Sequence, residues 1–258
     1  MKLKPLYISA PSRSGSSLLV KILNCTAEMS IINEPLNSVD ISDRSNIMTI
    51  FNFIEESLRY GFMMRRIDIE GSEVTDTFPP SKTKWGMVKR SLDGIKVVGI
   101  KKSFPAFSNK DFFQPFIQGW PDFVKWMNED LGGGIIAIVR NPKFTILSWK
   151  TTFDALKEST ENQCTAWNLI ADTILSSRDL GVHVVRYEDL IQDQIATVET
   201  ITAHLGIELD FKEELPRIKQ TSLEDFFGRR SDMSSGSLEA EFRIIEDMCG
   251  KTAKKFGY

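Results

Sequence analysis

The sequence predicts an α/β fold, an open parallel β-sheet flanked by helices and contained in one domain over residues 1–258. Three observations predict it. Short unbroken runs rich in Ile and Val recur along the chain, the pattern of strands buried on both faces. Helix-like stretches alternate with those runs, as crossovers between parallel strands require. A turn rich in Ser and Gly, "SAPSRSGSS" from Ser9 to Ser17, joins the first run to the first helix.

The strands are expected at Leu6–Ala10, Met29–Asn33, Ile95–Lys101, Gly134–Val139 and Val182–Arg186. "SSLLVKILNC" follows the turn as a helix with serines available to cap it. Asn46–Arg66 is one long amphipathic helix candidate, and Pro121–Leu131 opens with proline, which suits a helix start. Helices are also expected at Asn141–Phe153, Thr160–Gly181, Asp189–Ile207 and Ser237–Gly257. The polar stretches 70–91 and 211–236 read as long loops, which in a compact domain often border a functional site.

Bulk properties exclude several classes. With 32 Lys and Arg against 35 Asp and Glu, the net charge of −3 gives no basic field for nucleic acid. The most apolar run, Gly134–Val139, is far too short to span a bilayer, so no membrane partner is expected. The first strand begins at Leu6, which leaves no room for a signal peptide and points to a cytoplasmic protein. Three scattered cysteines and two histidines lack the spacing of a zinc site, so no metal is expected and the thiols are read as reduced.

The opening strand-loop-helix is P-loop-like, and in open α/β sheets ligands bind beyond the carboxyl ends of the strands. Gly15 permits close backbone approach, while Ser16 and Ser17 begin a helix whose free N–H groups favour an anion. Arg13 adds a planar fork of donors for phosphate or sulfate. A nucleoside-triphosphate loop would carry Gly-Lys-Ser/Thr, but here the order is Gly15-Ser16-Ser17. A second constellation is more specific: Arg140 ends a buried strand, and Ser148 follows eight residues later on the next helix. Both can converge on one phosphate.

Together, "PSRSGSSLL" and "RNPKFTILS" resemble the two nucleotide-binding motifs of sulfotransferases that use 3′-phosphoadenosine 5′-phosphosulfate (PAPS). The Arg-Ser-Gly-Ser-Ser-Leu form is closest to the carbohydrate and tyrosylprotein branches. "NEPLN" resembles a Glu-Pro-Leu segment of that family, with Glu34 placed 21 residues after Arg13. "VVRYEDL" and "AWNLIADTIL" resemble further family segments, and "CGKTAKKFGY" is similar to the ending of bacterial members. The resemblance runs from Ile8 to Tyr258, more weakly over Ile41–Gly94 and Ser103–Asp130. One departure matters. Where the cytosolic branch has Lys-Thr-His-x-Pro, this chain has "KKSFP", with Ser103 in place of the histidine base.

The resemblance implies a single sulfotransferase domain that moves a sulfuryl group from PAPS to an acceptor hydroxyl, on a carbohydrate or another alcohol or phenol. It implies Glu34 as general base, with Arg13 and Lys101 stabilising charge and Lys102 competing for the latter role. Ser14, Gly15, Ser16 and Ser17 would hold the 5′-phosphate, and Arg140 and Ser148 the 3′-phosphate. Tyr187 would contact the adenosine side, and Arg229 or Arg230 would add a phosphate contact. His183 and His204 are read as structural. A P-loop kinase and an inactive nucleotide- or glycan-binding module remain the alternatives.

Overall fold

The computed structural model describes residues 3–34, 41–68, 83–105, 110–152, 158–208 and 235–258. Its strands are β1 (Lys4–Ala10), β2 (Met29–Asn33), β3 (Phe62–Asp68), β4 (Thr83–Lys89), β5 (Val97–Ser103), β6 (Gly134–Val139) and β7 (Val182–Arg186). The α-helices are α1 (Ser16–Asn24), α2 (Arg44–Arg59), α3 (Lys110–Lys125), α4 (Pro142–Thr152), α5 (Thr160–Ser176), α6 (Tyr187–Gln192), α7 (Gln194–Leu205) and α8 (Ser235–Lys254). Five strands form one sheet in the order β2-β5-β1-β6-β7. All four of its pairings are parallel. Every residue of β6 is buried, which is why that run contains no polar alternation.

Two cores cover the two faces. On one, Tyr7, Ile100 and Ala137 pack with Ile54 of α2, Trp120 of α3, Trp167 of α5 and Ile245 of α8. On the other, Ile8, Ile31 and Ile136 pack with Leu19 and Leu23 of α1 and with Val198 and Ile201 of α7. Trp149 and Trp167 are buried in the first of these cores. No helix among the described residues is long and apolar enough to cross a membrane.

The structure corrects the sequence expectation in several places. The helix expected over Asn46–Arg66 ends at Arg59, where Gly61 turns the chain with a φ of 79°. The chain then enters β3, which pairs antiparallel with β4 inside the stretch read as a loop. Buried Arg65 on β3 donates from Nη1 to the Ile31 carbonyl (3.0 Å), and Arg90 donates to Thr26 and Met29 carbonyls (2.6 and 3.1 Å). These guanidiniums satisfy carbonyls of β2 and of the turn before it, where β2 forms the outer strand of the sheet.

Pro121 does not open a helix; it lies inside α3, as does Pro115. The spacing of Phe113, Phe116, Trp120 and Phe123 buries one aromatic stripe, and that burial outweighs the two lost backbone donors. A π-helical turn, Trp126–Asp130, follows directly. The helix expected over Asp189–Ile207 is two helices, because Asp193 leaves helical geometry and caps α7 by accepting from the Ala196 amide (2.9 Å). β5 runs two residues later than expected, to Ser103, which places Lys101 and Lys102 inside the strand.

Candidate active site

Each strand of the parallel sheet delivers a polar group at its carboxyl end. Across the sheet, these are Glu34 after β2, Lys101 to Ser103 ending β5, the Pro11–Gly15 turn after β1, Arg140 after β6 and Tyr187 after β7. The sequence scatters them over more than 150 positions; the strand order sets them side by side.

The turn after β1 adopts left-handed backbone twice, at Arg13 (φ 66°) and Gly15 (φ 84°). An arginine in that region is strained by about 1 kcal/mol or more, a cost found most often at functional turns. The expected serine cap on α1 is absent: Gly15 occupies the N-cap and no side chain caps the helix. The first-turn amides are thus left without a side-chain acceptor at a positive helix end, which suits an anion. A glycine is required here by the protein's own packing as well. A Cβ on Gly15 would lie 2.1 Å from Cδ2 and 2.5 Å from Cε2 of Tyr187, so the glycine makes room for the protein's own aromatic. Ser14 is buried, and its amide is used inside the turn, donating to Pro11 O (3.2 Å). The Trp149 indole holds the turn from outside by donating to Ser12 O (2.7 Å).

Arg140 lies with its guanidinium 4.5 Å from the centre of the Tyr187 ring and 5.1 Å from that of Phe144. Tyr187 is therefore packed between Arg140 and Gly15. Burial pulls the Arg140 pKa below the usual arginine value, against the opposing influence of Tyr187 and Glu188. Its Nε is buried with no hydrogen-bond partner among the described residues. A buried, unsatisfied cationic donor is costly unless a ligand completes it. Ser148 on α4 accepts from Arg13 Nε (3.1 Å), and Arg140 Nη1 donates to Arg13 O (3.4 Å). Residues expected at separate phosphates thus touch one another.

Glu34 also has left-handed backbone, with a φ of 49°, and its amide donates to Lys101 O (2.9 Å), extending the β2–β5 ladder by one bond. Lys101 Nζ lies 2.7 Å from Oε1 and Lys102 Nζ lies 3.0 Å from Oε2. The choice between the two lysines is therefore not exclusive at the carboxylate, since both bind it. The Ser103 amide also donates to Oε1 (3.0 Å), and Lys101 donates to the Ser103 hydroxyl (3.0 Å). Burial pushes the Glu34 carboxyl up, but the two ammonium groups outweigh it and hold its pKa at about 2.

Of the expected site residues, Glu34, Arg13, Lys101, Ser14, Gly15, Ser16, Ser17, Arg140, Ser148 and Tyr187 lie at or next to this edge. Arg229 and Arg230 lie outside the described residues. Among the described residues, no group of three or more metal-ligating side chains occurs. His183 and His204 stack on each other 5.1 Å apart, and His183 joins Arg186, Asp193 and Thr197 in lining a cavity of about 410 Å³ that includes no residue of the two phosphate motifs. Glu188 and Tyr258, both within segments that carry the resemblance, are site neighbours that the sequence motifs do not single out. Their contact with the Arg140 turn spans too much sequence for any local pattern to show it.

Residues 134–211 match the sulfotransferase family. No curated protein sequence matches the chain. Among solved structures, a sulfotransferase from Alicyclobacillus acidocaldarius is 14% identical, with 97% of each chain covered and a TM-score of 0.42. A mouse sulfotransferase in complex with PAP is 15% identical, covering 100% of this chain and 90% of that one, with a TM-score of 0.48. The sulfotransferase domain of the Synechococcus PCC 7002 olefin synthase is 15% identical, covering 100% and 96%, with a TM-score of 0.46.

Proposed function

We propose that this chain, whose residues 134–211 match the sulfotransferase family, transfers a sulfuryl group from PAPS to an acceptor hydroxyl. One observation carries the reading: Arg140, a half-buried arginine whose Nε is buried and unsatisfied, lies beside an uncapped helix N-terminus, and Arg13 connects the two. That spacing suits a nucleotide with phosphate on both sides of its ribose. The α1 amides with Ser16 and Ser17 take the 5′ side, and Arg140 with Ser148 takes the 3′ side.

The bound donor supplies an activated sulfur–oxygen bond to its 5′-phosphate. The acceptor oxygen attacks sulfur in line, the bond to the phosphate oxygen breaks, and the acceptor proton passes to Glu34. Positioning and charge stabilisation supply most of such a rate enhancement. Arg13 turns from Ser148 to meet the sulfuryl and bridging oxygens, and the Ser148 hydroxyl donates to the 3′-phosphate. Lys101 swings from Glu34 to the same oxygens. Losing that ammonium raises the basicity of Glu34 at the moment it must accept a proton, because the pair is what depresses its pKa. The acceptor is a carbohydrate or another alcohol or phenol, approaching from the β2 side where Glu34 stands.

Thermal stabilisation by 3′,5′-diphosphoadenosine (PAP) and by ATP with magnesium tests the reading. Marked stabilisation by PAP and little by ATP with magnesium is expected. The reverse order would assign the site to a phosphotransferase.

A further inference from the structure

The Arg140 turn is held from behind by a relay that the transfer chemistry does not use. Glu188, the second residue of α6, accepts the Asn141 amide on Oε1 (3.1 Å). Its other oxygen accepts the Tyr258 hydroxyl (2.7 Å). Tyr258 is fixed in turn. Its amide donates to Ala253 O (3.3 Å), and Arg186, ion-paired with Asp189, lies over its ring at 5.7 Å. Arg186 Nη1 also donates to the Phe256 and Gly257 carbonyls (3.2 Å each). Phe256 anchors the segment by burial against Trp167.

We propose that Tyr258 and Glu188 are positioning residues for the 3′-phosphate: Tyr258 occupies and orients the Glu188 carboxylate, which fixes the Asn141 backbone and leaves Arg140 open to an incoming phosphate. This inference rests on the sulfotransferase reading above. Two physical facts support it. Glu188 is near enough to influence the Arg140 pKa, so a carboxylate oxygen without its own donor would compete with phosphate for the guanidinium. Burial, and then Glu188, push the Tyr258 phenol well above the ordinary tyrosine value, so it stays protonated and remains a donor. Glu188 is also joined by one peptide bond to Tyr187, the ring under Arg140. The relay thus fixes both the backbone and the aromatic surface that aim the guanidinium.

The test compares binding of PAP and of AMP, which differ by the 3′-phosphate alone, to the full chain by titration calorimetry. In the wild type, PAP is expected to bind much more tightly than AMP. Tyr258→Phe removes one oxygen and keeps the ring, and it is expected to reduce the PAP-over-AMP preference about tenfold, the size of one charge-assisted hydrogen bond. AMP affinity should stay within about twofold. In a Glu188→Gln background, where no charge competes for Arg140, the same Tyr258→Phe change should shift the preference less than about twofold. Equal weakening of PAP and AMP, an unchanged preference, or the same loss in both backgrounds would overturn the proposal. A wild type that does not discriminate PAP from AMP would overturn the sulfotransferase reading and this inference with it, whereas a discriminating wild type with an indifferent Tyr258→Phe would remove only the inference.

Discussion

Glu34 carries two demands at one carboxylate under the proposed mechanism: it anchors Lys101 and Lys102, and as the proposed base it would take the acceptor's proton. Glu34→Ala should abolish transfer of labelled sulfuryl group while PAP affinity changes by less than about threefold; undiminished turnover would remove Glu34 as base. The same ion pairs give a pH signature. A carboxyl held at about 2, against an ordinary value near 4.5, contributes stability that is full above pH 4.5 and fades as pH falls towards 2. The Glu34 side chain is one-third exposed, so solvent screens the contribution to about 1 kcal/mol. Thermal melts from pH 6 to 2 should therefore fall less steeply for Glu34→Gln than for the wild type, and parallel curves would contradict the assignment. At Gly15, alanine must take left-handed backbone and place its Cβ 2.1 Å from the edge of the Tyr187 ring. Gly15→Ala should cost about 2 kcal/mol or more of stability and most of the PAP affinity, read by thermal melt and calorimetry.

Among the elements, α4 is the one whose position sets Ser148, and α8 braces it. Lys150 on α4 meets Glu241 on α8 at 2.5 Å and the Thr160 hydroxyl at 2.7 Å, while Lys143 meets Glu246 at 3.3 Å. The Lys150–Glu241 pair is mostly buried, with 23% and 17% exposure, so removing one partner strands a charge. Glu241→Ala should lower stability by about 1–3 kcal/mol and weaken PAP binding through Ser148; an unchanged melting temperature would show that the brace carries no load. Element by element, the parallel strands were legible because burial on both faces leaves unbroken apolar runs such as Gly134–Val139. β3 and β4 were not, since a half-exposed antiparallel pair with Phe62 and Met87 facing solvent has no such run. The α3 start was hidden by Pro115 and Pro121, residues whose local cost is overruled only by long-range aromatic packing.

Over the whole molecule, the strand order β2-β5-β1-β6-β7 converts a dispersed sequence into a line of chemistry: carboxylate, lysines, turn, arginine, aromatic. The line was partly legible, because the turn and the Arg140–Ser148 spacing are local patterns. The Arg13–Ser148 bond spans 135 positions and the Glu188–Tyr258 bond 70, and no local periodicity encodes such contacts. Stability at this scale also has an acid-sensitive component. Burial, and then the facing His204, lower the His183 pKa to about 4, and burial with Lys4 lowers that of His204. Groups whose pKa falls on folding stabilise above the unfolded value near 6.5, and that stability is lost as pH drops towards 4. His183→Gln should flatten the wild-type loss of melting temperature between pH 6.5 and 4, and an unchanged slope would place the sensitivity elsewhere. The most direct test of the central claim is a crystal structure of the chain with PAP. The account predicts the 3′-phosphate between Arg140 and Ser148, the 5′-phosphate on the first-turn amides of α1, and Arg13 released from Ser148. A 3′-phosphate bound away from Arg140, with the Arg13–Ser148 bond intact, would contradict it.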